Sequence, residues 1–193
     1  MIDEIEKSLY FLRKKKPIVL CLTNFVTMEF VANSLLSLGA APITSVSEEE
    51  LAELVQIASS VYINIGTLDD KFINLTKKAI ELAQEFDKPI ILDPVGAGAT
   101  KVRTQTAKYI LPFSSIIRGN ASEIIALGQN AQLTYGVETS NTTDEAEEIA
   151  TRIALENNTT IITSGPVDYI TNGNHSVQVP FGSSLMQLVT GMG

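Results

Sequence analysis

The sequence predicts an α/β protein with a mostly parallel β-sheet, helices on both faces and an antiparallel hairpin near the C-terminal end. Short runs rich in β-branched residues are almost continuously apolar, which is typical of strands buried on both faces of a parallel sheet. Helical patterns lie between these runs, so strand and helix alternate as right-handed crossovers require. Residues 167–180 instead alternate around Asn172-Gly173, which is a strong hairpin signal.

Six apolar runs are predicted to form the parallel strands. They occupy residues 17–23, 41–46, 61–66, 88–96, 114–120 and 159–165. The chain of 193 residues is long enough for one sizeable core, and nothing in it demands a second domain. We therefore expect a single domain over residues 1–193.

Helical periodicity predicts three helices in the first half of the chain. The first ends at Gly39, a natural C-terminal glycine, and its apolar stripe comprises Phe30, Val31, Ser34, Leu35 and Leu38. The second is expected to begin near residue 47, because Ser47 and Glu50 have capping-box spacing. The third follows residue 69 and carries a stripe comprising Phe72, Leu75, Ala79 and Leu82.

Two further helices are predicted from their N-terminal signals. Asn120 followed by Glu123 indicates a helix start, and Thr142 followed by Glu145 indicates another.

The composition excludes several classes of function. The formal net charge of −8 and the pI of about 4.7 disfavour a nucleic-acid partner, although a small anion such as a nucleotide remains possible. The start of the chain is charged throughout, and no apolar run approaches the length of a membrane span. We therefore expect a cytoplasmic protein with no membrane partner.

Cysteine and histidine chemistry is also restricted. One cysteine, Cys21, cannot form a disulfide within the chain, and with a single histidine a Cys/His zinc site cannot be built. His175 lies in the predicted hairpin turn, where an exposed turn residue is the simplest interpretation. A Ser-His-Asp triad would have to use this histidine and is set aside.

Polar residues follow every predicted parallel strand. Ligands bind beyond the carboxyl ends of the strands in open parallel sheets, so together these residues favour a site. They are Thr23-Asn24, Thr44-Ser45, Asn64 with Gly66-Thr67, Asp93 with Gly96, Arg118-Gly119-Asn120 and Thr163-Ser164-Gly165.

Asp93 is the most informative of these residues, because an acid beside so apolar a strand needs partners. It is followed by a glycine-rich segment, residues 96–100, that we expect to be a flexible turn. Arg118, Asn120 and Glu123 share one strand-to-helix corner, which combines a phosphate-binding guanidinium with an acid able to hold Mg²⁺ through water. The chain has no Walker P-loop, and the spacing of Gly96 and Gly98 is not a dinucleotide fingerprint.

Several longer motifs carry a family resemblance across essentially the whole chain. They are "LTNFVTMEFVANSLLSLGAAP", "INIGTL", "PIILDPVGAGAT", "IRGNASEI", "TSGPVDYITNG" and "LVTGMG". In this order and spacing they resemble hydroxyethylthiazole kinase, a thiamine-salvage family of the ribokinase-like superfamily. The resemblance implies Mg²⁺-dependent transfer of the γ-phosphoryl group of ATP to the hydroxyl of 4-methyl-5-(2-hydroxyethyl)thiazole. It also implies a homotrimer with thiazole sites between subunits.

The resemblance assigns roles to particular residues. Those of the metal site are Asp93 and Glu123, and those of the ATP site are Arg118, Ser164 and Asn24. Those of the thiazole site are Thr44, Gly66 and Gly191, and the glycines of the catalytic anion-binding turn are Gly191 and Gly193.

Two positions depart from the family pattern. Ser164 replaces the usual threonine and keeps its hydroxyl, so we expect a mild effect. Thr44 replaces a methionine that packs on the thiazole, which puts the identity of the alcohol substrate in doubt.

The family sequence continues from the last glycine turn into a helix that begins with a cysteine, at the position of the catalytic base in related kinases. The present chain ends at Gly193, so we expect a C-terminally truncated form without kinase activity.

Two alternative functions stay open. One is another ribokinase-like activity, either a kinase for a related heterocyclic alcohol or an ADP-dependent dehydratase of hydrated nicotinamide cofactors. The other is a non-catalytic protein that binds nucleotide or thiazole.

Overall fold

A computed structural model describes residues 2–129 and 143–191. The chain divides into two compact units, Met1–Ile90 and Ile91–Gly193. Each unit contains parallel strands flanked by helices, and the second also contains antiparallel strands. The predicted α/β class, with its C-terminal hairpin, is therefore confirmed.

The first unit has three parallel strands in the order β2-β1-β3. Leu20 at the centre of β1 aligns with Ile43 on one side and Val61 on the other. The elements of this unit are α1 (Ile2–Lys15), β1 (Ile18–Leu22), α2 (Met28–Leu38), β2 (Ala41–Thr44), α3 (Leu51–Ile57), β3 (Ser60–Asn64) and α4 (Asp70–Glu85).

In the second unit β4, β5 and β6 are parallel, and β7 and β8 continue the sheet in antiparallel pairing. Its helices and strands are β4 (Ile90–Asp93), α5 (Lys101–Ile110), β5 (Ile116–Asn120), α6 (Ala121–Gly128), α7 (Thr143–Asn157), β6 (Thr160–Ser164), β7 (Asp168–Thr171) and β8 (Ser176–Val179). Two short 3₁₀ helices, Leu111–Phe113 and Ser184–Leu188, also belong to it.

The predicted parallel strands all occur, and each of them except β2, whose residues are half-buried or exposed, has buried side chains at its centre. Leu20 and Ile63 lie fully buried in the first unit, and Ile117 and Ile161 lie fully buried in the second. Burying such a side chain contributes roughly 1.5–3 kcal/mol relative to exposing it. The continuous apolar runs are therefore explained by burial within each unit.

Three helix-terminal and turn signals are confirmed. Gly39 ends α2 in the left-handed conformation, with φ of 109°, and its N–H donates to the carbonyls of Leu35 and Leu36. Asn120 and Glu123 form a complete capping box at the start of α6. The hairpin turn is also present, because the Asn172 N–H donates to the His175 carbonyl at 3.1 Å and His175 is exposed.

One prediction about the first unit is wrong. Helix α3 begins at Leu51 and has no side-chain cap, because Glu50 accepts a hydrogen bond from Ser45 instead of serving a capping box with Ser47. Helix α2 occurs where it was predicted, but none of its residues is fully buried, and Phe30 and Leu38 of its apolar stripe are exposed.

Helices α1 and α5 were not anticipated. Helix α1 buries no residue, so its sequence lacks a core-facing signal. Helix α5 has the sequence "KVRTQTAKYI", in which Thr106, Ala107 and Ile110 are the buried positions. Small and polar residues make its buried face hard to recognise.

The last predicted helix start depended on Thr142 and Glu145. Thr142 lies outside the described residues.

Candidate active site

A cavity of about 540 Å³ lies at the carboxyl ends of β5 and β6 in the second unit. Its volume falls within the usual range of roughly 300–1,000 Å³ for small-molecule sites. The lining residues are Arg118, Asn120, Ser164, Gly165, Pro166, Asp168, Phe181, Gly182, Ser183, Ser184 and Met186.

The sheet register explains why Arg118 and Ser164 meet at this cavity. Strands β5 and β6 are parallel, with Asn120 aligned with Ser164, so residues near both strand ends reach the same edge. The Ser164 hydroxyl donates to the Gly119 carbonyl at 3.2 Å. Arg118 brings a guanidinium, which suits phosphate groups. The two predicted ATP residues of this unit therefore line one cavity.

The cavity also has a residue that the sequence did not single out. The Asp168 carboxylate accepts the Gly165 N–H at 3.0 Å, which fixes the turn between β6 and β7. A short acid-turn pattern, "SGPVD", was the available signal. Asp168 lies on the cavity wall and places negative charge there, so a ligand's phosphates are better accommodated toward Arg118.

Glu123 connects two backbone segments of the second unit. Its Oε1 accepts the Gly96 N–H and its Oε2 accepts the Asn120 N–H, both at 2.9 Å. A Cβ on Gly119 would lie 3.1 Å from Glu123 Oε2, so a glycine allows this close approach. Each carboxylate oxygen can accept more than one hydrogen bond or ligand, so Glu123 retains capacity for a metal-bound water.

The glycine-rich turn after Asp93 is more restrained than the sequence predicted. Gly96 and Gly98 have φ of 76° and 92°, values that side chains disfavour. The Gly98 N–H donates to the Thr104 hydroxyl at 2.8 Å. Arg103 donates to the Val95 carbonyl at 2.9 Å. The turn is therefore held from helix α5, and Arg103 is a positioning residue that the sequence analysis missed.

Asp93 ends β4 and is half-buried. Among the described residues, no group of three or more His, Cys, Asp and Glu side chains could hold a metal ion. A Mg²⁺ ion does not require such a cage, because it commonly keeps several waters and uses one or two carboxylates with substrate phosphates. The oxygen chemistry of Asp93 and Glu123 fits that pattern.

In the first unit, Asn24, Asn64 and Gly66 form a hydrogen-bonded cluster at the carboxyl ends of β1 and β3. Asn24 Nδ2 donates to Asn64 Oδ1 at 2.8 Å, and the Gly66 N–H donates to the same oxygen at 2.9 Å. Asn24 Oδ1 accepts the N–H groups of Val26 and Thr27. The carboxamide of Asn24 is therefore engaged with its own loop and with the neighbouring one.

The remaining predicted thiazole residues are less enclosed. Thr44 ends β2 and is exposed. Gly191 is exposed, with φ of 90°, a conformation that suits glycine in an N–H-presenting turn. Gly193 lies outside the described residues.

Cys21 is buried in β1, with 1% of its surface exposed. Burial disfavours the thiolate and raises the pKa of Cys21 from 9.0 to about 11. The thiol is therefore protonated near neutral pH and unsuited to act as a nucleophile.

The raised pKa predicts that Cys21 reduces stability at alkaline pH. As pH rises above 9.0, the unfolded thiol ionises while the folded thiol stays protonated until about pH 11. The free energy of unfolding should then fall by as much as about 1.4 kcal/mol per pH unit from this group. Chemical denaturation of the wild type and Cys21→Ala at pH 8 and pH 10.5 checks this. Parallel losses in both proteins would contradict the assignment.

Comparison with solved structures defines the class of protein. A pyridoxal kinase from Staphylococcus aureus in complex with AMP-PCP and pyridoxal matches with a TM-score of 0.67 and 16% identity. The match covers 87% of this chain and 73% of that chain. At this identity the likeness shows the fold alone. Together with the parallel strands and the C-terminal hairpin, it gives the chain a ribokinase-like fold.

Sequence comparison then identifies the family. The hydroxyethylthiazole kinase family model matches residues 9–193. A hydroxyethylthiazole kinase from Chlamydia caviae is 47% identical over 100% of this chain and 74% of its own length. The solved structure of a hydroxyethylthiazole kinase protein from Pyrococcus horikoshii has a TM-score of 0.86 and 41% identity, covering 96% of this chain and 70% of that chain. The chain belongs to the hydroxyethylthiazole kinase family.

The helices of residues 2–129 and 143–191 include none with the length and apolar character needed to cross a membrane.

Proposed function

We propose that the protein transfers the γ-phosphoryl group of ATP to the hydroxyl of 4-methyl-5-(2-hydroxyethyl)thiazole, a step of thiamine salvage. The observation that carries this proposal is the family match over residues 9–193. The test is formation of the thiazole phosphate and ADP from the thiazole alcohol and ATP by the protein expressed from its complete reading frame.

The cavity at the ends of β5 and β6 is proposed to take ATP. Arg118 would bind phosphate oxygens through its planar guanidinium, and Ser164 would offer a hydroxyl close to the Gly119 backbone. Asn24 is proposed to lie at the phosphate end of the site. It would act on ATP binding indirectly, by holding the loop of Val26 and Thr27 through its hydrogen bonds.

Asp93 and Glu123 are proposed to hold Mg²⁺, directly or through water. When bound, the ion would neutralise negative charge on the ATP phosphates during transfer. Glu123 would also keep the Gly96 turn and the start of α6 in fixed positions through its two backbone hydrogen bonds. Such preorganisation means that little rearrangement is needed as charge develops.

Thr44, Gly66 and Gly191 are proposed to contact the thiazole alcohol, and the N–H groups of Gly191 and Gly193 to stabilise the transferring phosphoryl group. Thr44 is exposed and offers a hydroxyl where a methionine would offer a polarizable thioether. This difference favours one second candidate, a kinase for a related and more polar heterocyclic alcohol. A comparison of kcat/KM across such alcohols distinguishes the two.

The protein is further proposed to work as a cytoplasmic homotrimer with its thiazole sites between subunits. Helices α1 and α2 support subunit contact, because their large apolar side chains remain exposed. These side chains are Ile2, Ile5, Tyr10, Phe11, Phe30, Leu36 and Leu38. Light scattering coupled to size-exclusion chromatography measures the molar mass of the protein assembly in solution, which we expect to be three times that of one subunit. A monomer at micromolar concentration would contradict the trimer.

Arg118→Lys is expected to weaken binding of an ATP analogue by about tenfold while changing thiazole binding less than twofold. The lysine keeps the charge but loses the planar fork that binds two phosphate oxygens together. Isothermal titration with each ligand measures both effects. Lys108→Arg is a control on helix α5, since Lys108 bonds the Gln129 carbonyl outside the cavity lining. Equal weakening of both ligands by Arg118→Lys would indicate a structural role instead.

A further inference from the structure

We infer that Asn64 is a positioning residue for the acceptor alcohol, because one side-chain oxygen of Asn64 holds both Asn24 and Gly66 in place. The inference rests on the proposed function, in which Gly66 contacts the alcohol and Asn24 belongs to the neighbouring loop. Asn64 is the last residue of β3, and 4% of its surface is exposed.

The hydrogen bonds of Asn24 fix the orientation of its carboxamide. Its Oδ1 accepts the backbone N–H groups of Val26 and Thr27, both at 2.9 Å. Its Nδ2 must then face the opposite way, where it donates to Thr27 Oγ1 at 2.7 Å and to Asn64 Oδ1 at 2.8 Å. A reversed amide would turn a donor toward two N–H groups, so this orientation is strongly preferred.

The orientation of Asn64 follows from the same reasoning. Its Oδ1 receives the Asn24 amide and the Gly66 N–H, and its Nδ2 donates to the Tyr62 hydroxyl at 3.1 Å. The two loops that follow β1 and β3 therefore share one acceptor, although Asn24 and Asn64 are 40 residues apart in sequence. A second bond, from the Phe25 N–H to Thr67 Oγ1 at 3.3 Å, joins the same loops.

Close packing makes this arrangement sensitive to small changes. A Cβ on Gly66 would lie 2.9 Å from Asn24 Cβ and 3.0 Å from Asn64 Oδ1. These distances leave no room for a side chain at residue 66. The position of the Gly66 backbone is thus determined jointly by a steric contact with Asn24 and a hydrogen bond to Asn64.

The cluster lies where a parallel sheet presents ligands, at the carboxyl ends of its strands. It holds a loop on which Phe25 and Val26 are 68% and 71% exposed. Thr23, the residue before Asn24, is 3% exposed, and its buried hydroxyl has no hydrogen-bond partner among the residues that the structure describes. A buried polar network is costly unless its groups are satisfied, and a satisfied network specifies one geometry. That property suits a loop that must position a substrate.

Asn64→Ala removes the shared acceptor and tests the inference. We expect kcat/KM for the thiazole alcohol to fall about thirtyfold or more, because small misplacements of positioning groups cost up to about a hundredfold. Asn64→Asp keeps an acceptor toward Asn24 and Gly66, and the Tyr62 hydroxyl can donate to its second oxygen, so it should recover activity to within about tenfold of the wild type.

Tyr62→Phe is the matched control. It removes the Tyr62 hydroxyl but leaves both bonds to Asn64 Oδ1, and we expect activity within about threefold of the wild type. If Asn64→Ala merely lowers the melting temperature and the active fraction, with KM for the alcohol and kcat per active site unchanged, the positioning role is contradicted. A loss in Tyr62→Phe equal to that in Asn64→Ala contradicts the role of the shared acceptor.

Hydrogen exchange separates this inference from the proposed function, since it requires no turnover. In Asn64→Ala the amides of Val26, Thr27 and Gly66 should exchange at least about tenfold faster than in Tyr62→Phe, because the network that protects them is broken. Unchanged exchange overturns the inference even if the wild type is an active thiazole kinase. If exchange is faster in Asn64→Ala but the wild type phosphorylates no thiazole alcohol, the loop coupling is supported and only the proposed reaction is overturned.

Discussion

The Asp93→Asn variant is expected to lose about a hundredfold or more in the rate of Mg²⁺-dependent phosphoryl transfer. The change keeps the shape of the side chain at the end of β4 but removes the negative charge proposed to hold the metal ion. Loss of one preorganised electrostatic partner typically costs about a hundredfold to a thousandfold in kcat. Initial rates of ADP release at several Mg²⁺ concentrations measure the effect, and the mutant should need more Mg²⁺ to reach half-maximal rate.

Asp69→Asn is the matched control for this substitution. Asp69 caps α4 by accepting the Phe72 N–H at 2.7 Å, and an asparagine can make the same bond. The control should retain activity within about twofold and lose less than about 0.5 kcal/mol of unfolding free energy. Near-normal turnover of Asp93→Asn at low Mg²⁺ would remove Asp93 from the metal site.

The Glu123→Ala variant should lose both stability and activity. Two backbone donors, the N–H groups of Gly96 and Asn120, would lose a charged acceptor at once. Hydrogen bonds to charged groups contribute roughly 1.5–3 kcal/mol, and partial exposure of this site lowers the expected total loss to about 2 kcal/mol. Turnover should fall at least about a hundredfold, because a proposed metal-site charge disappears and the glycine turn loses its anchor.

Glu123→Gln and Ser122→Ala separate these two effects. In Glu123→Gln one carboxylate oxygen becomes an amide donor, so the side chain can no longer offer a separate oxygen to each N–H group. This variant should keep part of the stability but little Mg²⁺-dependent activity. Ser122 lies one residue away and donates to Asn120 Oδ1 at 2.7 Å, so it takes no part in the two bonds of the Glu123 carboxylate. Its alanine variant should stay within about threefold of wild-type turnover. If Glu123→Gln is fully active, Glu123 serves the fold alone.

The fold was largely predictable because its strongest signals are local. Buried parallel strands require continuous apolar runs, and the cap at Asn120 depends on residues three positions apart. Helix α2 has an apolar stripe, yet none of its residues is fully buried, and periodicity alone does not say how deeply such a stripe is covered. Glu50 was misassigned because Ser45, outside the expected helix, competes for its carboxylate.

The candidate site was predictable as a set of strand ends but not as a set of contacts. Strand order alone brings Arg118 and Ser164 to one edge, so their clustering follows from the α/β pattern. The bonds from Gly96 to Glu123 and from Asn24 to Asn64 span 27 and 40 residues. Such partnerships depend on loop geometry, which the sequence alone does not specify. For this reason Asn64 was noted only as a strand-end residue.

Product analysis tests the central claim most directly. The protein expressed from its complete reading frame is incubated with ATP, Mg²⁺ and 4-methyl-5-(2-hydroxyethyl)thiazole. ADP and the phosphorylated alcohol are then quantified by phosphorus NMR and mass spectrometry, beside parallel reactions with related heterocyclic alcohols and a hydrated nicotinamide cofactor. We expect one thiazole phosphate per ADP, dependence on both substrates and on Mg²⁺, and the highest kcat/KM for the thiazole alcohol. Thiazole binding without ADP release, or a higher kcat/KM for another acceptor, would contradict the proposed reaction.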